Sequence, residues 1–115
     1  MKKIVKNYRF KFVVILVLCG IINLFAQNSI TINAGNYYYS PSDTIVNQDD
    51  NVTWINDGGY HNVNFDENTL TGDPFEGYNS EGNPESFISI PTSGSDIYSH
   101  IFSLPGYYEY DCSVG

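Results

Sequence analysis

The chain has 115 residues, of which 5 are Lys or Arg and 13 are Asp or Glu, and this length suffices for one small domain. All five basic residues lie within the first 26 positions, whereas all thirteen acidic residues follow Ala26. The part after Ala26 has no Lys or Arg to neutralise phosphates, which excludes nucleic-acid binding. It contains one cysteine, Cys112, so no disulfide can form within it.

The first segment, residues 1–26, has the pattern of a secretory signal peptide. A basic start is followed by an apolar run, Phe12 to Phe25, which is too short to span a bilayer comfortably. Ala26 is a small residue suited to the position before cleavage. We therefore expect an exported chain, periplasmic or extracellular, that begins at or near Gln27. An uncleaved anchor would need a longer apolar stretch, and we interpret Cys19 as an apolar residue of this leader.

From residue 27 onward, the composition is typical of short β-strands separated by turns. Ile, Val, Thr, Tyr and Phe alternate with clusters of Gly, Pro, Asn and Asp. No stretch of ten or more residues has helical periodicity. Seven strands are predicted in chain order: 29–35, 43–48, 51–56, 61–65, 86–90, 97–104 and 106–112. Short strands at such close spacing indicate an antiparallel sandwich or barrel.

Alternation along two of these strands places His61 and Cys112 at the ends of rows that face the core. The inward rows consist of His61, Val63 and Phe65 in one strand and of Tyr108, Tyr110 and Cys112 in the other. Alternate positions, such as Asn62, Asn64 and Asp111, are expected on the opposite face. Both inward rows end where a strand meets a loop, which is where a site can be built on a rigid sheet.

The longest connection, residues 66–85, is acidic and has no regular period. A structureless loop of this length is uncommon in a compact domain. We expect it to lie across the sandwich, anchored by Leu70, Phe75 and Tyr78, with room for one helical turn.

His61 and Cys112 are the candidate metal ligands. Thiolate and imidazole together suit copper, zinc and iron, and two imidazoles with a thiolate form the blue-copper arrangement. Taken alone, a strand histidine is more often structural, and a lone cysteine is often simply buried. An intermolecular disulfide, an inert thiol and a catalytic nucleophile therefore remain open for Cys112 at this point, although no cysteine-enzyme signature accompanies it.

Two stretches carry a more specific pattern. Residues 37–66 read YYYSPSDTIVNQDDNVTWINDGGYHNVNFD, with an aromatic-X-Pro start and a GGYHNV motif; residues 102–115 read FSLPGYYEYDCSVG. Together they resemble the cupredoxins, in particular small blue copper proteins of the plastocyanin and pseudoazurin type. The resemblance covers most of residues 30–115 and is weakest between 66 and 96.

The resemblance implies an all-β, cupredoxin-like Greek-key sandwich or barrel over residues 27–115. It implies that His61 is the first copper ligand, that Cys112 is the thiolate ligand, and that Asn62 joins the two ligand loops by hydrogen bonds. The family continues past its cysteine with a second histidine, usually a methionine, and a last strand. His100 is interpreted as a structural or surface residue. We therefore expect the domain to be interrupted in its ligand loop, with the last strand missing and the second histidine and axial ligand beyond residue 115.

The resulting hypothesis is an exported protein that binds one type 1 copper ion and carries single electrons between redox partners, without being an enzyme. The acidic surface favours a partner with a basic docking face, and serves equally well for solubility. No membrane span is expected in the mature form. Two alternatives remain: a cupredoxin-like binding module without redox activity, and one domain of a larger multicopper oxidase or nitrite reductase.

Overall fold

The computed structural model describes residues 2–9 and 27–114, and these are dominated by β-strands. The elements are β1 (Lys2–Arg9), β2 (Ser29–Gly35), β3 (Tyr38–Ser40), β4 (Asp43–Asn47), β5 (Asn51–Asn56), a 3-10 turn (Tyr78–Ser80), β6 (Asp96–Ile101) and β7 (Tyr108–Asp111). The described ranges contain no α-helix, which confirms the all-β prediction, and hence no helix there is long and apolar enough to cross a membrane.

The strands form two sheets, with the orders β4-β1-β7 and β3-β2-β5-β6. β2 runs parallel to β5 and antiparallel to β3, while β1 runs parallel to β4 and antiparallel to β7. Both sheets are therefore mixed: the predicted antiparallel pairing holds for β2–β3, β5–β6 and β1–β7 but is wrong for β2–β5 and β1–β4. Parallel neighbours are joined by crossover connections, which the spacing of strands along the chain does not reveal.

One aromatic core fills the space between the two sheets. Trp54 from β5 and Tyr110 from β7 are buried and pack edge to face, with ring centroids 5.7 Å apart. Phe65 stacks on Tyr110 at 4.6 Å and packs edge to face with Trp54 at 5.8 Å. Such aromatic pairs contribute about 0.5–1.5 kcal/mol each beyond the area that they bury. The core therefore fixes the end of β7, where Cys112 lies, relative to the second sheet.

Residues 61–65 and 86–90 form isolated bridges instead of the predicted strands. All five residues of 61–65 are buried, including Asn62 and Asn64, which were expected on an outward face. The reason is that Asn64 bridges both Ile88 on one side and Asp111 on the other. With a neighbour on each side, the segment has no solvent face, so alternation does not describe its burial.

Polar side chains anchor the connection 66–85 as much as apolar ones do. Phe75 is buried as predicted, but Leu70 is 83% exposed and was wrongly predicted as an anchor. Asn83 donates from its amide to the carbonyl oxygens of Phe65 and Glu109, at 2.7 and 2.8 Å, and accepts the Glu109 N–H at 2.8 Å. One asparagine thus attaches the connection to both neighbouring segments.

Among the described residues, strand β1 lies between β4 and β7 and joins them into one sheet. It belongs to the predicted leader, Met1–Ala26, whose remaining residues, including Cys19 and the cleavage position, lie outside the described ones. Export and cleavage therefore stay predictions. Cleavage after Ala26 would remove β1 and leave facing edges of β4 and β7 without a partner strand.

Candidate metal centre

His61 presents one ring nitrogen to Cys112 and uses the other to hold its orientation. Nε2 lies 2.7 Å from the carbonyl oxygen of Gly58, so it carries the proton and donates. Nδ1 is thereby left as the basic nitrogen, and it lies 3.9 Å from the Sγ atom of Cys112. The side chain is 6% exposed. The loop before His61 therefore selects the tautomer that can bind a metal through Nδ1.

Gly59 allows this approach. Its φ is 100°, a conformation that side chains rarely adopt, and a Cβ there would lie 2.7 Å from His61 Nε2 and 2.8 Å from Asn36 Oδ1. A larger residue would push the imidazole away from its position. The two glycines of the GGYHNV motif thus bring the loop close to the ring and supply the carbonyl to which it binds.

Cys112 follows directly after β7 and is a free, buried thiol, 9% exposed. Tyr110, two residues earlier, is held in the aromatic core, and Asp111 pairs with Asn64 through backbone hydrogen bonds of 2.9 and 3.0 Å. These contacts fix the chain immediately before the cysteine. The sulfur atom is therefore held on a rigid support beside His61.

Asn62 connects the two segments that carry these donors. Its Oδ1 accepts the Ser113 N–H at 2.8 Å, and its Nδ2 donates to Ser113 Oγ at 2.8 Å and to the Ser89 carbonyl at 3.3 Å. Since Asn62 follows His61 and Ser113 follows Cys112, each bond couples the position of one donor to the other. This is the connection that the resemblance implied for Asn62.

Tyr39 also contacts this site, and the sequence alone did not indicate it beyond the aromatic-X-Pro motif. Its hydroxyl donates to the Asn62 carbonyl at 2.7 Å, and its ring packs on Tyr110 with centroids 4.7 Å apart. Burial raises the pKa of Tyr39 far above its usual range, and the neighbouring Cys112 raises it further. The hydroxyl therefore stays protonated and remains a hydrogen-bond donor at physiological pH.

A cavity of about 300 Å³ opens onto both donors. Its walls include the side chains of Tyr37, Tyr38, Tyr60, His61, Cys112 and Val114. Three of these, Tyr37, Tyr60 and Val114, are more than 40% exposed. A small ligand from solvent can therefore reach the histidine and cysteine, although both are largely buried.

His100 belongs to a different part of the molecule. It lies on β6, with Nε2 3.1 Å from a Glu85 carboxylate oxygen and its ring stacked on Phe87 at 3.9 Å. Among residues 2–9 and 27–114, no group of three or more His, Cys, Asp and Glu side chains is arranged to hold a metal ion. Of the predicted site residues, His61, Asn62 and Cys112 are thus brought together, and His100 is not among them.

A comparison with protein families agrees with this geometry. The family model described as copper binding proteins of the plastocyanin/azurin family matches residues 26–114. The chain belongs to this family. The prediction of a cupredoxin is thereby confirmed, together with its β-sandwich fold. No curated protein and no solved structure matches the chain.

The donor atoms fit the copper that this family implies. Copper sites of this kind combine imidazole nitrogen with thiolate sulfur. Here Nδ1 is the nitrogen without the proton, and its neighbour at 3.9 Å is the only described thiol. His61 donates its Nε2–H to a backbone carbonyl, as metal-bound histidines usually do.

Proposed function

We propose that this chain binds one type 1 copper ion through His61 and Cys112 and carries single electrons between redox partners. The observation that carries the proposal is the approach of His61 Nδ1 to Cys112 Sγ, with Nε2 held by Gly58. Copper would supply a one-electron couple at this position. The family membership supports a carrier in preference to an enzyme.

The protein's part is to keep the donors in place in both oxidation states. Asn62 ties Ser113 to the histidine segment, and the Asn64–Asp111 pair holds the end of β7. Because these bonds lie within buried structure, the donors have little freedom to move when charge changes. A site that rearranges little on electron transfer is the property that a carrier requires.

We further propose that the protein acts outside the cytoplasm and docks on a partner with a basic face. Residues 27–115 contain all thirteen acidic side chains and no Lys or Arg, so the exported chain would be strongly negative. Electron transfer to a basic acceptor should then slow steeply as salt rises from low to physiological concentration. A rate that is indifferent to ionic strength would leave the charge with a role in solubility only.

Metal titration in the presence of free imidazole tests the copper assignment. The described residues place one imidazole at this cavity, that of His61, so added imidazole, a small planar ring, should enter it and provide the second nitrogen. Cu(II) should then give an intense thiolate-to-metal charge-transfer band in the visible region, and a weak one without imidazole. Co(II) serves as a parallel probe because it does not oxidise thiols.

Two variants give the controls for this titration. Cys112→Ser should abolish the band with both metals, and His61→Gln should weaken binding while it leaves the thiol in place. A band that persists in Cys112→Ser, or its absence with both metals in the wild type, would contradict the assignment. Metal binding without a reversible one-electron wave in voltammetry would favour a binding module instead of a carrier.

A further inference from the structure

Tyr39 occupies the point where three parts of the candidate centre meet. It lies on β3, is 2% exposed, and lines the same cavity as His61 and Cys112. Its ring packs on Tyr110, two residues before the cysteine, and its hydroxyl binds the carbonyl of Asn62, the residue after the histidine. A single side chain thus contacts both segments that carry the donors.

We propose that Tyr39 is a positioning residue for the metal centre, and that its hydroxyl holds the His61–Asn62 segment against Cys112. This inference rests on the proposed function for its metal-related consequences. Asn62 is held from two sides, since its side chain binds Ser113 while its main-chain carbonyl binds Tyr39. Loss of the hydroxyl leaves a buried carbonyl without this donor, which favours local opening of the segment.

The hydroxyl is separable from the packing of the ring. A phenylalanine at this position would keep the contact with Tyr110 and fill the same space, so only the interactions of the hydroxyl, with the Asn62 carbonyl and with Cys112, would be removed. Tyr108 provides a matched comparison, because it is also fully buried and donates its hydroxyl to a main-chain carbonyl, that of Leu104, at 2.6 Å. Its bond lies at the other end of β7, away from the two donors.

The test compares Tyr39→Phe with Tyr108→Phe in the 115-residue chain with Cys19→Ser, in which Cys112 is the one remaining cysteine. The first readout is the rate at which iodoacetamide alkylates Cys112 in the metal-free protein, which reports how often the site opens. Loss of one hydrogen bond of about 1 kcal/mol corresponds to an increase of about fivefold. We expect this increase for Tyr39→Phe at a thermal stability similar to that of Tyr108→Phe, whose alkylation rate should stay close to that of the wild type.

The second readout is the thiolate-to-Co(II) band in the presence of imidazole, which should shift in Tyr39→Phe and stay unchanged in Tyr108→Phe. Because alkylation needs no metal, its result stands even if the copper assignment fails. Equal alkylation rates in the two variants would show a general effect of stability and overturn the proposal. It is equally overturned if Tyr39→Phe unfolds while Tyr108→Phe stays folded, since the hydroxyl would then be a requirement for folding.

Discussion

Gly58 and Gly59, which precede the candidate ligand His61, both have positive φ angles, of 143° and 100°, but only Gly59 lies against the imidazole. An alanine at either position is strained by about 1–3 kcal/mol. At Gly59 its Cβ would also meet His61 Nε2, whereas at Gly58 it would meet nothing within 4 Å. We therefore expect Gly59→Ala to displace the imidazole and Gly58→Ala to leave it in place.

Measurements of metal affinity and of stability distinguish displacement of the imidazole from backbone strain. In urea unfolding, both variants should lose a similar amount of free energy through backbone strain, and Gly59→Ala should lose more because of its clash with His61. Only Gly59→Ala should also lose Co(II) affinity, by about 10–100-fold, the usual effect of disturbing the orientation of a ligand. Equal Co(II) affinities in the two variants would show that the approach of Gly59 to the ring does not determine the position of His61.

At the level of single residues, the sequence indicated the candidate metal donors but not all of the residues that hold them in place. His61, Asn62 and Cys112 lie in motifs whose order along the chain is informative, and the structure brings the three together. Tyr39 precedes Asn62 by 23 positions, and their bond joins a hydroxyl to a main-chain carbonyl. Any residue presents such a carbonyl, so no pattern in the sequence marks this one as an acceptor.

Among the elements, prediction succeeded where a strand has one buried face. The bounds of β2 and β5 agree with the predicted strands 29–35 and 51–56, and β5 buries Val52 and Trp54 as its alternation indicates. It failed at residues 61–65 and in β7, where every residue is buried. Neighbouring segments cover both sides of 61–65 and of β7. A local sequence pattern does not show which distant parts of the chain will pack there.

Glu85 attaches the end of the connection 66–85 to the rest of the protein, and the pH dependence of stability can test this attachment. Glu85 accepts hydrogen bonds from Ser103 Oγ at 2.7 Å and Ser103 N–H at 3.3 Å, and lies 3.1 Å from His100 Nε2. Partial burial acts to raise the pKa of Glu85, but the bonds from Ser103 and His100 outweigh it and hold the pKa below its usual range. The ionised carboxylate therefore stabilises the folded protein.

We expect this stabilisation to be present above the ordinary glutamate pKa of about 4.3 and to be lost as the pH falls through the lowered folded-state value. Glu85→Gln should accordingly be less stable than the wild type at neutral pH, and the difference should narrow on acidification. Urea unfolding at a series of pH values measures it, with Ser103→Ala expected to show part of the effect. A difference that stays constant down to pH 3 would count against the lowered pKa.

For the molecule as a whole, the position of β1 links the leader to the fold. Lys2–Arg9 pairs with Asp43–Asn47 on one side and with Tyr108–Asp111 on the other. Removal of residues 1–26 would break both pairings and expose two strand edges, which are prone to associate with other chains. We expect the 27–115 chain to have a lower free energy of unfolding than the 1–115 chain and to associate more readily.

Urea unfolding and analytical ultracentrifugation of the two chains test this expectation. A synthetic peptide of residues 2–9 added to the 27–115 chain is the matched control, because it can restore the strand without the covalent link. If the two chains are equally stable and equally monomeric, β1 does not contribute to the sandwich. The sequence could not predict this pairing, because no pattern in residues 2–9 distinguishes a basic leader from a strand that pairs with β4 and β7.

X-ray absorption at the copper edge tests the joint use of His61 and Cys112 most directly, because it identifies the atoms bound to the metal. The 115-residue chain with Cys19→Ser, in which Cys112 is the one remaining cysteine, is loaded with Cu(I), which thiolate ligands favour and which does not oxidise the thiol. We predict one sulfur atom and at least one imidazole nitrogen in the first shell of the wild type, with the sulfur absent in Cys112→Ser and the imidazole signal reduced in His61→Gln. A first shell without sulfur in the wild type, or one that is unchanged in either variant, would contradict the account.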